Sequence, residues 1–184
     1  MNTGAISMRY ARALLMFANE AGVAGKVYQE ALTLRRSFRE VPELKAMMEK
    51  PVMTRENKLK VLVQAIGGEI TTQMQKFFQL VLEAKREKYL TGINQAYIDL
   101  YRKQEKIRVG KLTTAVPIAP EEVERIRRIV VDYAGGTAEF ATKVDPSIEG
   151  GFIFEINTYR MNASVADQMR RIKQQFIEKN RRIV

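Results

Sequence analysis

The chain has 184 residues, of which 46% are hydrophobic, and a formal net charge of +10. This length suits one domain or two small ones, and the apolar share is sufficient for a hydrophobic core. The absence of cysteine excludes disulfides and thiolate chemistry, and the absence of histidine removes the commonest general base and transition-metal ligand. The positive charge leaves nucleic acid, anionic membrane and acidic protein as partner classes, beside a merely solvated basic surface.

Targeting signals are absent from the sequence pattern. No stretch approaches the roughly 18 consecutive apolar residues that a membrane-spanning helix needs. The opening Met1-Asn2-Thr3-Gly4 lacks the basic and apolar regions of a signal peptide. We therefore expect a soluble chain that begins without a cleaved leader.

Six stretches in the first 105 residues repeat their apolar side chains at helical spacing. Gly22 ends the first stretch, Pro51 breaks the third, and Thr54 is the expected N-cap of the fourth. The connections are short and no strand pattern intervenes, so residues 1–105 are predicted to form an antiparallel six-helix bundle. The stretches cover residues 5–21, 24–40, 42–50, 54–66, 70–85 and 88–105.

The pattern changes to β type from residue 107 onward. A strand is predicted over 107–118, with a slip of phase between Val109 and Leu112 that indicates a bulge. A helix is then predicted to begin at Pro120, because proline is favoured at the first helical position, and to end at Gly135-Gly136.

The last part of the chain is organised around a turn, Val144-Asp145-Pro146-Ser147, that follows a second predicted strand. Gly150-Gly151 then permits either a bulge or a sharp start of the next strand. That strand, over 152–156, alternates with its apolar side chains on one face, and Asn157-Thr158 is predicted to turn the chain back. The helix that starts at Ser164 is the expected cover for this face.

This order of elements predicts a small α/β sheet domain over residues 106–184. The whole chain is therefore predicted to be an α+β protein in which the helical bundle precedes the sheet domain. A unit of this size lies near the lower limit of independent stability, so we expect it to dock on something.

Three features of the sequence invite a chemical interpretation. A phosphate loop at Gly150-Gly151 is rejected, because no Lys-Ser/Thr follows and the glycines open a strand rather than a helix. The acidic cluster Glu121, Glu122 and Glu124 could serve a carboxylate-dependent enzyme, but capping of the helix dipole explains it better. The basic charge keeps a nucleic-acid-binding module as an alternative function, although no aromatic residues interleave with the basic runs as stacking requires.

Two helices have wider apolar faces than a small bundle usually needs. One interpretation is that both helices are covered on two sides by the core. The other is that a groove between the first and fifth helices receives the amphipathic helix of a partner. The candidate groove residues are Tyr10, Ala13, Leu14, Phe17, Phe77, Phe78, Val81 and Leu82.

The chain resembles the delta subunit of bacterial F-type ATP synthase, which is similar to the mitochondrial oligomycin-sensitivity-conferring protein. The resemblance is carried by Arg9-Tyr10-Ala11-Arg12-Ala13-Leu14, by residues 86–97 and by a C-terminal signature. Glu149 and Met161-Asn162-Ala163 depart from the usual pattern at the edge of the last hairpin. The signature residues are Asp145, Pro146, Gly150, Gly151 and Ser164.

The resemblance implies a non-catalytic subunit of the peripheral stalk, with no cofactor, no metal and no nucleic acid. It implies that residues 1–105 bind the N-termini of alpha subunits on the catalytic head, and that residues 106–184 meet the b-subunit stalk. Proton translocation would thereby be coupled to ATP synthesis. The implied location is the cytoplasmic face of the bacterial cell membrane, with membrane association only indirect, through the complex.

Overall fold

A computed structural model describes residues 3–50, 53–125, 128, 137–156 and 159–181. Two compact units divide the chain, Met1–Gln104 and Glu105–Val184. The described part contains helices and one four-stranded mixed sheet, which confirms the predicted α+β class. Each unit is described by itself below.

The first unit is helical, and its helices begin and end where local sequence signals stand. Thr54 and Thr71 accept backbone N–H bonds from Asn57 and Met74, so each caps the helix that follows it. Gly67 ends the fourth helix with φ +118°. The elements are α1 (Thr3–Glu20), α2 (Ala24–Glu40), α3 (Pro42–Glu49), α4 (Arg55–Ile66), α5 (Thr72–Glu83), a 3-10 turn (Glu87–Tyr89) and α6 (Leu90–Gln104).

Helix α6 packs against both α1 and α2, and the two packings run in opposite senses. The Asn94 amide donates to the Ala31 carbonyl at 2.9 Å and the Tyr97 hydroxyl donates to the Ala24 carbonyl at 3.1 Å, so α2 and α6 are antiparallel. Tyr101 stacks on the Tyr28 ring with centroids 4.4 Å apart. Burial of Tyr97 raises the pKa of its hydroxyl, which stays protonated and serves as a donor.

Helices α1 and α6, in contrast, run parallel. Ser7 faces Gly92 near the start of both helices, and Asn19 exchanges hydrogen bonds of 3.0 and 3.2 Å with Gln104 near the end of both. The expectation of an antiparallel arrangement is therefore wrong for this pair. Strict up-and-down alternation requires every helix to cross the bundle, and α3, with eight residues, is only about 12 Å long.

A glutamate from α2 fixes the start of α5. The Glu30 carboxylate accepts the Thr71 N–H at 2.5 Å and the Thr71 hydroxyl at 2.9 Å. A carboxylate at this end of a helix is favoured by the helix dipole. Burial nevertheless raises the pKa of Glu30, and the two bonds from Thr71 oppose that rise.

A buried ion pair joins α4 to the 3-10 turn. The Lys58 ammonium lies 2.7 Å from Glu87 Oε1, and the Lys58 side chain is 5% exposed. Partial burial disfavours the charged form of Glu87, but the hydrogen bond and charge of Lys58, aided by Arg55, outweigh it and lower the pKa. Glu87 Oε2 has no hydrogen-bond partner among the described residues. The charged form of Glu87 is therefore stabilised mainly by Lys58.

We expect Lys58→Met to lower the free energy of unfolding by about 2 kcal/mol, because it leaves a partly buried carboxylate uncompensated. Since the folded-state pKa of Glu87 is lowered, its contribution is present above its unfolded pKa of 4.5 and is lost as the pH falls through the folded value. The loss in Lys58→Met should therefore shrink in acid. Urea titrations at neutral and acid pH measure this. Lys58→Met combined with Glu87→Leu is the control, and it should recover most of the loss; equal losses in both variants would contradict the assigned role of the pair.

The second unit is built on a sheet with strand order β2-β1-β3-β4. Strands β1 and β2 are parallel, and the β1–β3 and β3–β4 pairs are antiparallel. The helix that we label α7 is described at 120–125 and at Arg128. The remaining elements are β1 (Ile107–Thr114), β2 (Thr137–Val144), a 3-10 turn (Pro146–Ile148), β3 (Gly151–Ile156), β4 (Tyr159–Ser164) and α8 (Val165–Arg181).

The first strand differs from its prediction in two ways. It pairs with β2 without interruption from Ile107 to Thr114, so the predicted bulge is wrong. Val109 and Leu112 simply point to opposite faces, and Leu112 is the buried one. The strand also ends at Thr114 rather than at residue 118. Just after this end, the Thr114 hydroxyl donates a hydrogen bond to the Val116 carbonyl at 2.7 Å.

The apolar face of β3 is covered by a different element from the one expected. Phe152 and Phe154 share a face with Leu112, and α7 borders that face through Pro120 and Val123. The side chains of α8 that were expected to cover it are exposed, so that expectation is wrong. The predicted end of α7 at Gly135-Gly136 and the predicted turn at Asn157-Thr158 lie outside the described residues.

Candidate functional site

The facing sides of α1 and α5 form an apolar surface on the first unit. The rings of Tyr10 and Phe77 meet edge to face, with centroids 6.5 Å apart. Ala13 and Phe17 continue the same side of α1, and Phe17 is 38% exposed. Leu80, one turn after Phe77 in α5, is exposed as well, whereas Phe77 is buried at 6% exposure and lies beneath the other four residues. We call these five residues the α1–α5 surface.

The remaining candidate groove residues lie inside the unit. Leu14, Phe78, Val81 and Leu82 are all buried among the helices. Their burial agrees with the interpretation in which these positions belong to the core. The sequence analysis did not include Leu80 among the groove residues, because it lies beside the buried stripe of α5 and not on it. A large apolar side chain outside the buried stripe is the signal that could have identified it.

A second apolar surface lies on α8. Val165, Met169, Ile172 and Phe176 repeat at intervals of four, three and four residues, and between 41% and 65% of each is exposed. We call these four residues the α8 stripe. Such spacing places the side chains along one line of a helix and is the pattern with which helices pair. The first residue of this line, Val165, lies against Gly150, and a large part of all four side chains remains exposed.

The start of α8 is held rigidly. The Ser164 hydroxyl accepts the Asp167 N–H at 3.3 Å and itself donates to Asn162 Oδ1 at 2.7 Å. The Asp167 carboxylate pairs with Arg171 at 2.9 Å, one turn along the helix. The Val165 N–H donates to the Gly150 carbonyl at 3.0 Å, which ties the helix to the start of β3. Ser164 therefore sets the direction in which the stripe leaves the sheet.

The signature turn links the sheet to this anchor. Asp145 accepts bonds from the Ser147 hydroxyl at 2.5 Å, the Ser147 N–H at 3.2 Å and the Lys143 ammonium at 2.9 Å. The bonds from Ser147, followed by that from Lys143, lower the pKa of Asp145 to about 2. The Asp145 N–H donates to the Thr114 carbonyl at 2.8 Å, so the turn is fixed to β1. Pro146 opens the 3-10 turn that follows. These contacts indicate that the turn has a structural role, which is to connect β2 to β3 in a fixed geometry.

Gly150 and Gly151 are glycines for different structural reasons. Gly151 has φ +71°, and a Cβ there would overlap the Ala163 carbonyl oxygen on β4. A Cβ at Gly150 would lie 2.9 Å from Val165 Cγ2, the end of a side chain that can move. Strand β3 begins at Gly151, so the glycines form the sharp start of a strand.

The second unit has open clefts beside α7. Two open clefts of about 470 and 440 Å³ lie beside α7, and their linings are mostly apolar. Glu121 and Glu122 are exposed at the start of α7, as expected of residues that stabilise a helix start. Within the described ranges, no group of three or more metal-ligating side chains is close enough to hold an ion. No described helix has the length and apolar character to cross a membrane.

Two small units, each with an exposed apolar surface, are typical of an adaptor protein. Comparison with known proteins specifies which adaptor. The family model described as "ATP synthase delta (OSCP) subunit" matches residues 6–176, and the chain belongs to this family. The ATP synthase subunit delta of Phocaeicola vulgatus is 55% identical, and that of Bacteroides thetaiotaomicron is 47% identical; both alignments cover 100% of both chains.

A structural comparison gives the same fold. A chain in the cryo-EM structure of the Toxoplasma gondii mitochondrial ATP synthase hexamer superposes with a TM-score of 0.64 at 22% sequence identity, and it covers 93% of this chain and 97% of its own. The resemblance inferred from the signature residues is thereby confirmed. The chain is a structural component of the ATP synthase peripheral stalk, where it acts as part of the stator.

Proposed function

We propose that the chain joins two partners, the alpha subunits of the catalytic head and the b-subunit of the stalk. The α1–α5 surface binds the N-terminal helices of alpha subunits, and the α8 stripe binds the end of the b-subunit. The chain contributes contact area and stiffness, has no active site of its own, and sits on the cytoplasmic face of the bacterial cell membrane through the complex. The observation that carries the proposal is that each unit has its own exposed apolar surface.

The α1–α5 surface suits an amphipathic helix. Its aromatic and aliphatic side chains lie on two neighbouring helices, which is the arrangement of a helix-binding groove. Fully burying an exposed phenylalanine contributes roughly 1.5–3 kcal/mol. Phe17 is 38% exposed, so covering the rest of its ring contributes about 1 kcal/mol to peptide binding. Leu14 and Phe78 support the surface from below rather than touching the partner.

We expect Phe17→Asp to weaken binding of a synthetic alpha-subunit N-terminal peptide to the full chain by at least about 30-fold, because a charge replaces a covered ring. Met8→Asp is the matched control, since Met8 is 36% exposed on the same helix but on the other side of its buried stripe. Isothermal titration with both variants measures the difference. Equal affinities would place the peptide elsewhere.

The α8 stripe suits a single partner helix. Its spacing is that of one seam of a two-helix packing, and Lys173, which has no ion pair with any described residue, flanks it. A partner helix with an acidic residue beside its apolar seam would therefore be favoured by charge as well as by burial. The rigid anchor at Ser164 keeps the stripe in a fixed direction, as a link under torque requires.

A further inference from the structure

Methionine is the only sulfur-containing residue type in this chain. The sequence has nine methionines and no cysteine, tryptophan or histidine. A mild peroxide therefore meets methionine thioethers as the most readily oxidised side chains, and methionine sulfoxide reductases reverse that reaction.

The described methionines range from buried to exposed, and Met16 on α1, at 64%, is exposed as well as the two methionines of the second unit. Met48 and Met74 are 1% exposed inside the first unit, where a peroxide cannot reach them. Met169 is 57% exposed at the second position of the α8 stripe, and Met161 is exposed on β4. Access to solvent governs which sites are modified, so these two are expected to react long before the buried pair.

We propose that Met169 is a reversible oxidation site that controls whether the α8 stripe can bind its partner. The inference rests on the proposed binding of the stalk helix by α8. Peroxide transfers one oxygen atom to the thioether sulfur; the O–O bond breaks, an S–O bond forms, the sulfur loses two electrons, and water leaves. The product is a sulfoxide with a strongly polar oxygen.

The position of Met169 gives this change its effect. Val165 precedes it by one turn and Ile172 follows it, so the side chain lies in the middle of the seam rather than at its rim. A partner helix that covers both Val165 and Ile172 therefore also covers Met169, and the sulfoxide oxygen would lie within the contact. A buried sulfoxide oxygen without a donor disfavours the complex.

The test treats the full chain with dilute hydrogen peroxide, maps sulfoxides by peptide mass spectrometry and measures binding to the soluble region of the b-subunit. We expect sulfoxide at Met169 while Met48 and Met74 remain intact, and a loss of affinity of about tenfold or more. Methionine sulfoxide reductase should restore the affinity. Met169→Leu removes the thioether and keeps an apolar side chain, so peroxide should leave the affinity of this variant at its own untreated value.

Met161→Leu is the matched control, because it removes the other exposed thioether of the second unit and leaves Met169 in place. This variant should remain as sensitive to peroxide as the wild type. If oxidised Met169→Leu loses as much affinity as oxidised wild type, the assignment to Met169 is overturned while the proposed binding stands. If untreated wild type does not bind the b-subunit region at all, both the proposed function of α8 and this inference are overturned.

Discussion

Ile172→Asp is expected to abolish binding of the stalk b-subunit, with a loss of affinity of at least about 100-fold. Ile172 stands at the centre of the α8 stripe and is exposed in the isolated chain. A carboxylate there has no partner once a helix covers it, and about 2.7 kcal/mol is enough for a 100-fold loss. Because 46% of the side chain is exposed on a surface helix, we expect circular dichroism and thermal unfolding to stay close to those of wild type.

Gln174→Asp is the control for this experiment. It introduces the same charge two residues along α8, on the opposite side of the helix, and Gln174 is exposed too. We expect it to bind within about twofold of wild type. Membranes from a strain that depends on each variant supply the functional measurement, because proton-driven ATP synthesis should fail with Ile172→Asp and persist with Gln174→Asp. Retained affinity in Ile172→Asp would remove the α8 stripe as the stalk-binding surface.

Gly151→Ala is expected to unfold the β3–β4 hairpin and to destabilise the second unit by at least about 3 kcal/mol. Two costs add at this position. A residue with a side chain is strained at φ +71°, and its Cβ would overlap the Ala163 carbonyl oxygen of the neighbouring strand. Backbone atoms cannot yield as a side chain can, so the two strands must separate.

Hydrogen exchange resolved by peptide measures this loss, because it follows the two units separately. Amides of β3 and β4 should exchange at close to the unfolded rate in Gly151→Ala, while those of α6 keep their protection. Gly150→Ala is the comparison: its Cβ would meet only Val165 Cγ2, so a loss of about 1 kcal/mol is expected. If the two variants showed the same protection, the close approach at Ala163 would not be the reason for the glycine.

Local sequence signals predicted most helices and strands, but they did not predict which distant helices pack together or in which direction. Thr54 and Gly67 are caps that act within one turn of the chain, so the sequence is enough to place them. The parallel packing of α1 and α6 depends on the close approach of Ser7 and Gly92, residues that are far apart in sequence. The hydrophobic periodicity of α1 and of α6 does not predict that contact.

The candidate site shows the same division. Helical spacing identified the apolar faces of α1 and α5, but spacing alone does not say what covers such a face. Phe78 is buried, whereas Phe17 is exposed, although both were predicted from the same helical spacing. The glycine signature was more informative, because a positive φ and a close backbone are needs that few other residues meet.

The parallel pairing of α1 and α6 also fixes where the polypeptide leaves the first unit. Thr3 and Leu90 lie at one end of this pair, and Glu20 and Gln104 lie at the other. Helix α6 has 15 residues and is about 22 Å long, so the exit at Gln104 is separated from residue 3 by the full length of the helix pair. A fluorophore attached beside Thr3 is therefore remote from Gln104, the last residue of the first unit.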